Sequence, residues 1–224
     1  MTSIPSALHE VCTDPSWPDW APGLPPLAAL ASRRLGAVIT DHRTSFVRAH
    51  SSASGTVYAK TYEYQTWGSR LRDFGRRTGP CAAPRAVREF AALQWLRNHG
   101  FAAPTPLVAA VARSAGFVTQ ALLVTAAWAG KPADALFPTL DAPERRTLRA
   151  AIEDLLHALH AQGFRDGNFD LRNLLASPTA SGWRIAKLDS PRFRLVTPGP
   201  RRDALAAADW RRVTPQLDAW TSPR

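Results

Sequence analysis

The segment GFRDGNFDLRNLL, from Gly163 to Leu175, restricts the fold of this chain more than any other stretch. It follows a run in which apolar residues recur at helical spacing from Leu148 to Leu159, and it ends on a short apolar stretch that is typical of a strand. The loop between these two elements is crowded with acid and amide side chains, namely Asp166, Asn168, Asp170 and Asn173. Because loops positioned by rigid elements often carry function, this pattern predicts a site at the end of the helix.

A strand lysine lies earlier in the chain. TSFVRAH and TVYAKTYEY are predicted to form a hairpin around the turn SSASG, which resembles a phosphate-covering loop only weakly because it holds a single glycine. Lys60 ends the sequence VYAK, close to the V-A-I-K pattern whose lysine contacts nucleotide phosphates. The chain uses arginine for nearly every positive charge, so a lysine here favours a specific role over that of an exposed strand cation.

A helix is predicted to begin near Pro84 and to end at Asn98-His99-Gly100. Glu89 lies beside its apolar face, where it could form an ion pair with Lys60. Glutamates are common on helices and usually solvated, so this expectation depends on the order of the elements. The helix is followed by a predicted hairpin that turns at 114–116 and by an interlobe hinge at 125–130.

A further carboxylate follows the crowded loop. Residues 174–176 and 183–188 are predicted as paired strands, and the second strand leads to Asp189 in the sequence KLDSP. This is the placement of the aspartate that holds Mg²⁺ in the D-F-G motif of kinases. Ser190-Pro191 replaces Phe-Gly, which keeps the metal ligand and removes the usual activation-loop switch.

The crowded loop departs from a kinase pattern at one position. In H-R-D-x-x-x-x-N the aspartate accepts a proton from the attacking hydroxyl and the asparagine binds a metal ion. Asn173 fits the metal-binding position, but Asn168 occupies the position of the base, and an amide cannot accept a proton there. We expect Asp166 to act instead, because the freedom of Gly167 in φ could let the loop turn its carboxylate toward the site. Asp170 is the second candidate.

Taken together, these motifs resemble the lipopolysaccharide core kinase family, the Kdo and heptose kinases, which are relatives of protein kinases. The resemblance runs from about Arg43 to Leu195 and depends on the number and order of the motifs. It implies an α+β, two-lobed protein-kinase-like fold with a β-rich N-terminal lobe and a reduced helical C-terminal lobe. It also implies ATP and Mg²⁺ as cofactors, with Lys60 and Glu89 at the nucleotide and Asn173 and Asp189 at the metal. The reaction would phosphorylate a sugar hydroxyl of a lipopolysaccharide core precursor.

The expected lobes are residues 29–126 and 127–224, preceded by an arm over residues 1–28. The arm is predicted to be irregular because prolines are dense within it, although Trp17 and Trp20 could dock it. After Val196 we expect only one short helix. Cys12 and Cys81 lie in irregular stretches without metal-ligand spacing, which favours free thiols.

The net charge of +10 predicts attraction to polyanions, and only Lys60, Lys131 and Lys187 are lysines. No nucleic-acid-binding motif is present, so the anionic surface of the inner membrane is the expected partner rather than DNA or RNA. The chain has neither a signal-peptide pattern nor an apolar run of the roughly 20 residues that span a bilayer, so a cytoplasmic, peripheral location is expected. A nucleotide-binding pseudokinase and an anionic-polymer binder are the alternative functions.

Overall fold

The computed structural model describes residues 8–64, 66–72, 78, 79 and 81–221. The chain divides into two compact units. The first comprises residues 1–94 and 105–127, and the second comprises residues 95–104 and 128–224. Residues 1–7 of the predicted arm lie outside the described residues.

The first unit contains a six-stranded antiparallel sheet with the order β1-β5-β6-β4-β3-β2. Its strands are β1 (His9–Thr13), β2 (Ala37–His42), β3 (Ser45–Ser52), β4 (Gly55–Glu63), β5 (Pro106–Ser114) and β6 (Phe117–Ala126). The two predicted hairpins are therefore confirmed as β3–β4 and β5–β6. The edge strand β2 was not predicted, since all of its residues are exposed and no alternation marks it.

The N-terminal residues differ from the irregular arm predicted for them. Strand β1 pairs with β5, and two short helices follow, α1 (Trp17–Trp20) and α2 (Leu27–Leu30). Leu30 is fully buried in the cluster formed by the sheet, and Trp17 and Trp20 pack against it. The prolines do not prevent this packing, because Pro18 lies in the first turn of α1 and Pro26 caps α2, positions where no helical hydrogen bond is lost.

Two further helices begin in the first unit, α3 (Trp67–Arg72) and α4 (Arg85–Asn98). Helix α4 confirms the predicted helix, and Gly100 follows its end with a φ of 79°, in the left-handed region. Its buried side carries Ala86, Glu89, Ala92, Phe90, Leu93 and Leu96. The buried face of α4 thus includes one acid among apolar residues.

Among the described residues from 128 onward, the second unit contains three helices, short strands and two 3₁₀ turns. The helices are α5 (Ala133–Leu136), α6 (Ala142–Ala161) and α7 (Pro200–Thr221), and the strands are β7 (Lys131–Pro132), β8 (Phe164–Arg165), β9 (Leu174–Thr179), β10 (Gly182–Lys187) and β11 (Arg194–Leu195). The 3₁₀ turns are Phe137–Thr139 and Leu171–Asn173. The predicted pair of strands on either side of residues 177–182 is confirmed as β9–β10.

Helix α6 has the features that start a helix. The Asp141 carboxylate accepts a hydrogen bond from Glu144 N at 2.8 Å, and Glu144 Oε2 accepts one from Asp141 N at 3.0 Å. This reciprocal capping satisfies two donors that the first turn would otherwise leave unpaired. Helix α6 ends at Ala161, so the crowded loop begins at a fixed point.

Helix α7 is 22 residues long, and the prediction of one short C-terminal helix is wrong. Its buried positions Asp209, Val213 and Leu217 recur at intervals of four. The stripe is hard to recognise in the sequence because its first member is an acid and Pro215 lies inside the helix. Within the described residues, no helix combines the length and apolar character required to cross a membrane.

Candidate active site

The first unit brings Lys60 and Glu89 into contact. Lys60 Nζ lies 2.7 Å from Glu89 Oε1, and the Tyr62 hydroxyl donates to the same oxygen at 2.9 Å. Glu89 is 1% exposed, whereas the Lys60 side chain is 24% exposed. The strand register and the burial of Glu89 therefore hold the lysine in one direction while part of its side chain stays exposed to solvent.

The turn between β2 and β3 is fixed by Arg33. The guanidinium donates to His42 O at 2.9 Å and to Arg43 O at 3.0 Å, and it also pairs with Glu63 at 2.8 Å. Lys60 lies opposite Val47 on β3, and two residue pairs, Phe46–Thr61 and Ser45–Tyr62, separate it from this turn along the sheet. The β2–β3 turn, which was not recognised in the sequence, is thus both ordered and close to Lys60 along the sheet.

The turn SSASG lies at the opposite end of the β3–β4 hairpin. Ser54 Oγ donates to Asp19 O at 2.6 Å, and Ala53 N donates to Pro22 O at 3.3 Å. Gly55 packs under Trp20, whose ring lies 3.6 Å from the position that a Cβ atom would take. These contacts attach the SSASG turn to the N-terminal segment.

The second unit brings together Asn168, Asn173 and Asp189. Asn173 Nδ2 donates to Asn168 O at 3.1 Å, and Asn168 Nδ2 donates to Asp189 O and Oδ2 at 3.0 and 3.1 Å. Leu188 N donates to Asn173 O at 2.8 Å, which joins the loop to the end of β10. Asp189 has a φ of 50°, an uncommon conformation for a residue other than glycine and one that is concentrated at functional sites.

The sequence suggested that the loop turns the Asp166 carboxylate toward the site, but in the structure this carboxylate is buried with a lysine. Gly167 adopts a φ of 63°, but the Asp166 side chain is 1% exposed and lies 3.0 Å from Lys187 Nζ. Lys187 is itself fully buried. Burial raises the pKa of the Asp166 carboxyl above its usual value, against the opposing effect of the lysine. The carboxylate is therefore enclosed in an ion pair.

Asp170 is held by arginines. Its side chain is 12% exposed and lies 3.3 Å from Arg172 Nε and 3.2 Å from Arg212 Nη2. It also caps the turn Leu171–Asn173 by accepting a hydrogen bond from Arg172 N at 3.4 Å. Its carboxylate thus keeps some access to solvent, which the Asp166 carboxylate does not.

Asp209 on α7 is the site residue that sequence reasoning missed. Its carboxylate accepts hydrogen bonds from Asp166 N at 3.1 Å and Gly167 N at 2.9 Å, and it pairs with His160 at 3.2 Å. Asp209 is 1% exposed. An acid at helical spacing with two buried apolar residues was the signal available in the sequence. The start of the loop is therefore fixed to α7 through its backbone.

We expect Asp209→Ala to lower the free energy of unfolding by about 2–4 kcal/mol, because the buried N–H of Asp166 and the part-buried N–H of Gly167 lose their acceptor. Asp218→Ala is the matched control on α7, since Asp218 is half exposed in a salt bridge with Arg149 and should cost less than about 1 kcal/mol. Urea unfolding of both variants measures the difference. Equal losses would contradict the role assigned to Asp209.

Two solved structures have a similar fold. A Rio2 kinase from Chaetomium thermophilum, in an ADP/Mg²⁺-phosphoaspartate complex, aligns with a TM-score of 0.56 and 18% identity over 82% of this chain. This chain spans 55% of the length of that Rio2 chain. WaaP in complex with acyl carrier protein aligns with a TM-score of 0.56 and 16% identity, over 95% of this chain and 96% of WaaP. At these identities the likeness shows the fold, and the protein-kinase-like fold is confirmed.

Comparison of the sequence with known families gives a further result. No curated protein matches the chain. Residues 33–211 match the sequence model of the lipopolysaccharide kinase (Kdo/WaaP) family. The match covers most of the chain and includes both the Lys60–Glu89 pair and the cluster of Asn168, Asn173 and Asp189. The chain therefore belongs to the lipopolysaccharide kinase (Kdo/WaaP) family, as its motifs predicted.

Proposed function

We propose that this protein transfers the terminal phosphoryl group of ATP to a sugar hydroxyl of the lipopolysaccharide core. The observation that carries the proposal is the ion pair between Lys60 and the buried Glu89, on a strand and the helix that follows it. Phosphoryl transfer depends mainly on positioning and charge, and a lysine held by a glutamate is one of the parts that kinases use to position phosphates. Membership of the lipopolysaccharide kinase family supports the assignment of the acceptor class.

Lys60 is proposed to contact the nucleotide phosphates. Its flexible stem carries a compact charge, which suits a phosphate oxygen, and the Glu89 carboxylate keeps that charge from swinging into solvent. The β2–β3 turn is the second element proposed to approach the phosphates. The Arg33 guanidinium donates hydrogen bonds to the carbonyl oxygens of His42 and Arg43, so these two acceptors are already satisfied by a cation.

Asn173 and Asp189 fit a magnesium ion. The carboxylate of Asp189 and the amide oxygen of Asn173 are hard oxygen donors, the type that Mg²⁺ prefers. Among the described residues, no three histidine, cysteine or acidic side chains cluster as a metal site would require. Mg²⁺ needs no such cage, because it is usually bound by one or two carboxylates together with water and substrate phosphates. Once bound, the ion would neutralise charge on the phosphate oxygens.

Asp170 is the better candidate for the base. A base must come within hydrogen-bond reach of the acceptor hydroxyl, and Asp166 is enclosed with Lys187. Asp170 is buried, but its side chain keeps 12% exposure, and it lies three residues before Asn173, on the same turn. Arg172 and Arg212 would hold its carboxylate in place. We propose that Asp170 accepts the hydroxyl proton and that Asp166 only positions the loop.

Nucleotide binding without transfer is the second candidate function, and the geometry of Asn168 favours it. This residue occupies the position of the kinase base, and its amide donates to Asp189 instead of accepting a proton. A carboxylate at position 168 would repel Asp189 unless a cation lay nearby, whereas the amide is compatible with it. The substitution is therefore consistent with a protein that binds nucleotide and has lost catalysis.

Transfer from labelled ATP to lipopolysaccharide precursors tests the two candidates, with ATP affinity measured in parallel. We expect the native chain to transfer phosphate. Asp170→Asn should lose roughly 10²- to 10⁴-fold in rate while still binding ATP, the usual contribution of a general base. Asp218→Asn, a surface change on α7, should behave as the native chain.

The other outcomes are equally informative. If the native chain binds ATP without transferring phosphate and Asn168→Asp gains activity, nucleotide binding without catalysis is the function. If the native chain does not bind Mg²⁺-ATP, both candidates are excluded.

We also propose that the protein works at the cytoplasmic face of the inner membrane, where a lipid-anchored acceptor would lie. The excess of arginine suits an acceptor and a surface that carry carboxylates and phosphates. In co-sedimentation, binding to anionic liposomes should exceed binding to neutral ones and should weaken as salt rises. Tight, salt-sensitive binding to random DNA without liposome binding would contradict this location.

A further inference from the structure

Lys187 is a fully buried cation. Its neighbours belong both to the loop that carries Asn168 and to the end of β10 that leads to Asp189. It is the last residue of β10, two positions before Asp189, and its ammonium lies 3.0 Å from Asp166, two positions before Asn168. The same ammonium contacts the carbonyl oxygen of Leu188 and lies 5.8 Å from the centre of the Phe169 ring. Its neighbours are thus residues that flank Asn168 on one side and Asp189 on the other.

We propose that the Lys187–Asp166 pair is a positioning device that sets the register of the loop carrying Asn168 and Asn173 against the end of the strand that carries Asp189. This inference builds on the proposed function, because it concerns the residues assigned there to the metal.

Because both charges are buried, stabilisation of the fold alone is a poor explanation for the ion pair. Lys187 is fully buried and Asp166 is 1% exposed, so both ions have lost their hydration. Such pairs are often no more stabilising than apolar residues of the same volume, and their best-attested use is to specify one arrangement. Here the arrangement specified would be the separation between the loop and the end of β10.

The pair also acts between the two points at which hydrogen bonds fix the ends of the loop. Asp209 fixes the start of the loop at Asp166 N and Gly167 N, and Leu188 N fixes its end at Asn173 O. The stretch between these anchors contains Asn168, Phe169 and Asp170. The Lys187 ammonium packs against the Phe169 ring in the middle of this stretch, while its main chain belongs to β10. It therefore links the middle of the loop directly to the strand.

The test uses double variants, since removing one partner alone would bury an unpaired charge and unfold the site. Asp166→Leu/Lys187→Met replaces the pair with apolar side chains of similar volume. Asp166→Asn/Lys187→Gln keeps a polar contact between the two positions without charge. Arg149→Met/Asp218→Leu removes an ion pair between α6 and α7 and serves as the control.

Two readouts are needed, namely amide hydrogen exchange without ligand and the Kd for Mg²⁺-ATP. The apolar double variant should keep its melting temperature, exchange faster at residues 168–173 and 188–190, and bind Mg²⁺-ATP roughly 10- to 100-fold more weakly, the usual loss when a residue that orients metal ligands is removed. The amide double variant should recover most of the protection and affinity. The control should match the native chain in both readouts.

The inference is overturned if the apolar double variant exchanges and binds as the native chain does, or if it binds normally despite faster exchange. Failure of the native chain to bind Mg²⁺-ATP is a separate result, which excludes the proposed function. In that case the exchange measurement alone decides whether the pair sets the register of the loop.

Discussion

The site depends on two hydrogen bonds that the buried carboxylate of Asp209 accepts from consecutive backbone N–H groups. A loop that turns sharply after a helix exposes N–H groups that no regular structure can satisfy, and leaving them unpaired in the interior is costly. Asp209 removes that cost at Asp166 and Gly167, so the start of the loop is fixed. Asn168 and Asn173 follow this fixed start in the loop.

The sequence predicted the parts of the fold that have strong periodicity or clear end signals. Helices α4 and α6 and the hairpins β3–β4, β5–β6 and β9–β10 belong to this group. The sequence did not predict the elements in which the arrangement of buried and exposed residues departs from such periodicity. Helix α7 buries an acid, β2 is exposed along its whole length, and the proline-rich N-terminal segment uses its prolines to begin helices.

The residues of the candidate site and its Lys60–Glu89 ion pair were predictable from the sequence, but the contacts within its loop were not. The order of Lys60, Glu89, Asn173 and Asp189 can be recognised from spacing alone. The direction of the Asp166 carboxylate cannot, because it depends on Lys187, a residue that looks like a strand-end surface cation in the sequence. The flexibility of Gly167 suggested that the carboxylate turns toward the site, whereas the ion pair with Lys187 encloses it.

Asn168 gives the site its particular chemistry. At a position where kinases carry a base, the amide donates to Asp189 and its main-chain oxygen accepts from Asn173, so three site residues form one hydrogen-bonded group without bound ligand. Such a group keeps Asp189 in its strained left-handed conformation. In the proposed function, this arrangement would hold Asp189 ready as a metal ligand and leave proton removal to Asp170.

The central claim is that this hydrogen-bonded group forms the metal site for the nucleotide. Paramagnetic broadening of backbone amide signals by Mn²⁺-ATP tests it most directly, because Mn²⁺ takes the same oxygen ligands as Mg²⁺. The account predicts strong broadening at residues 168–173 and 188–190 and none at the start of α6 around Asp141. Broadening elsewhere in the second unit with these residues unaffected would contradict it.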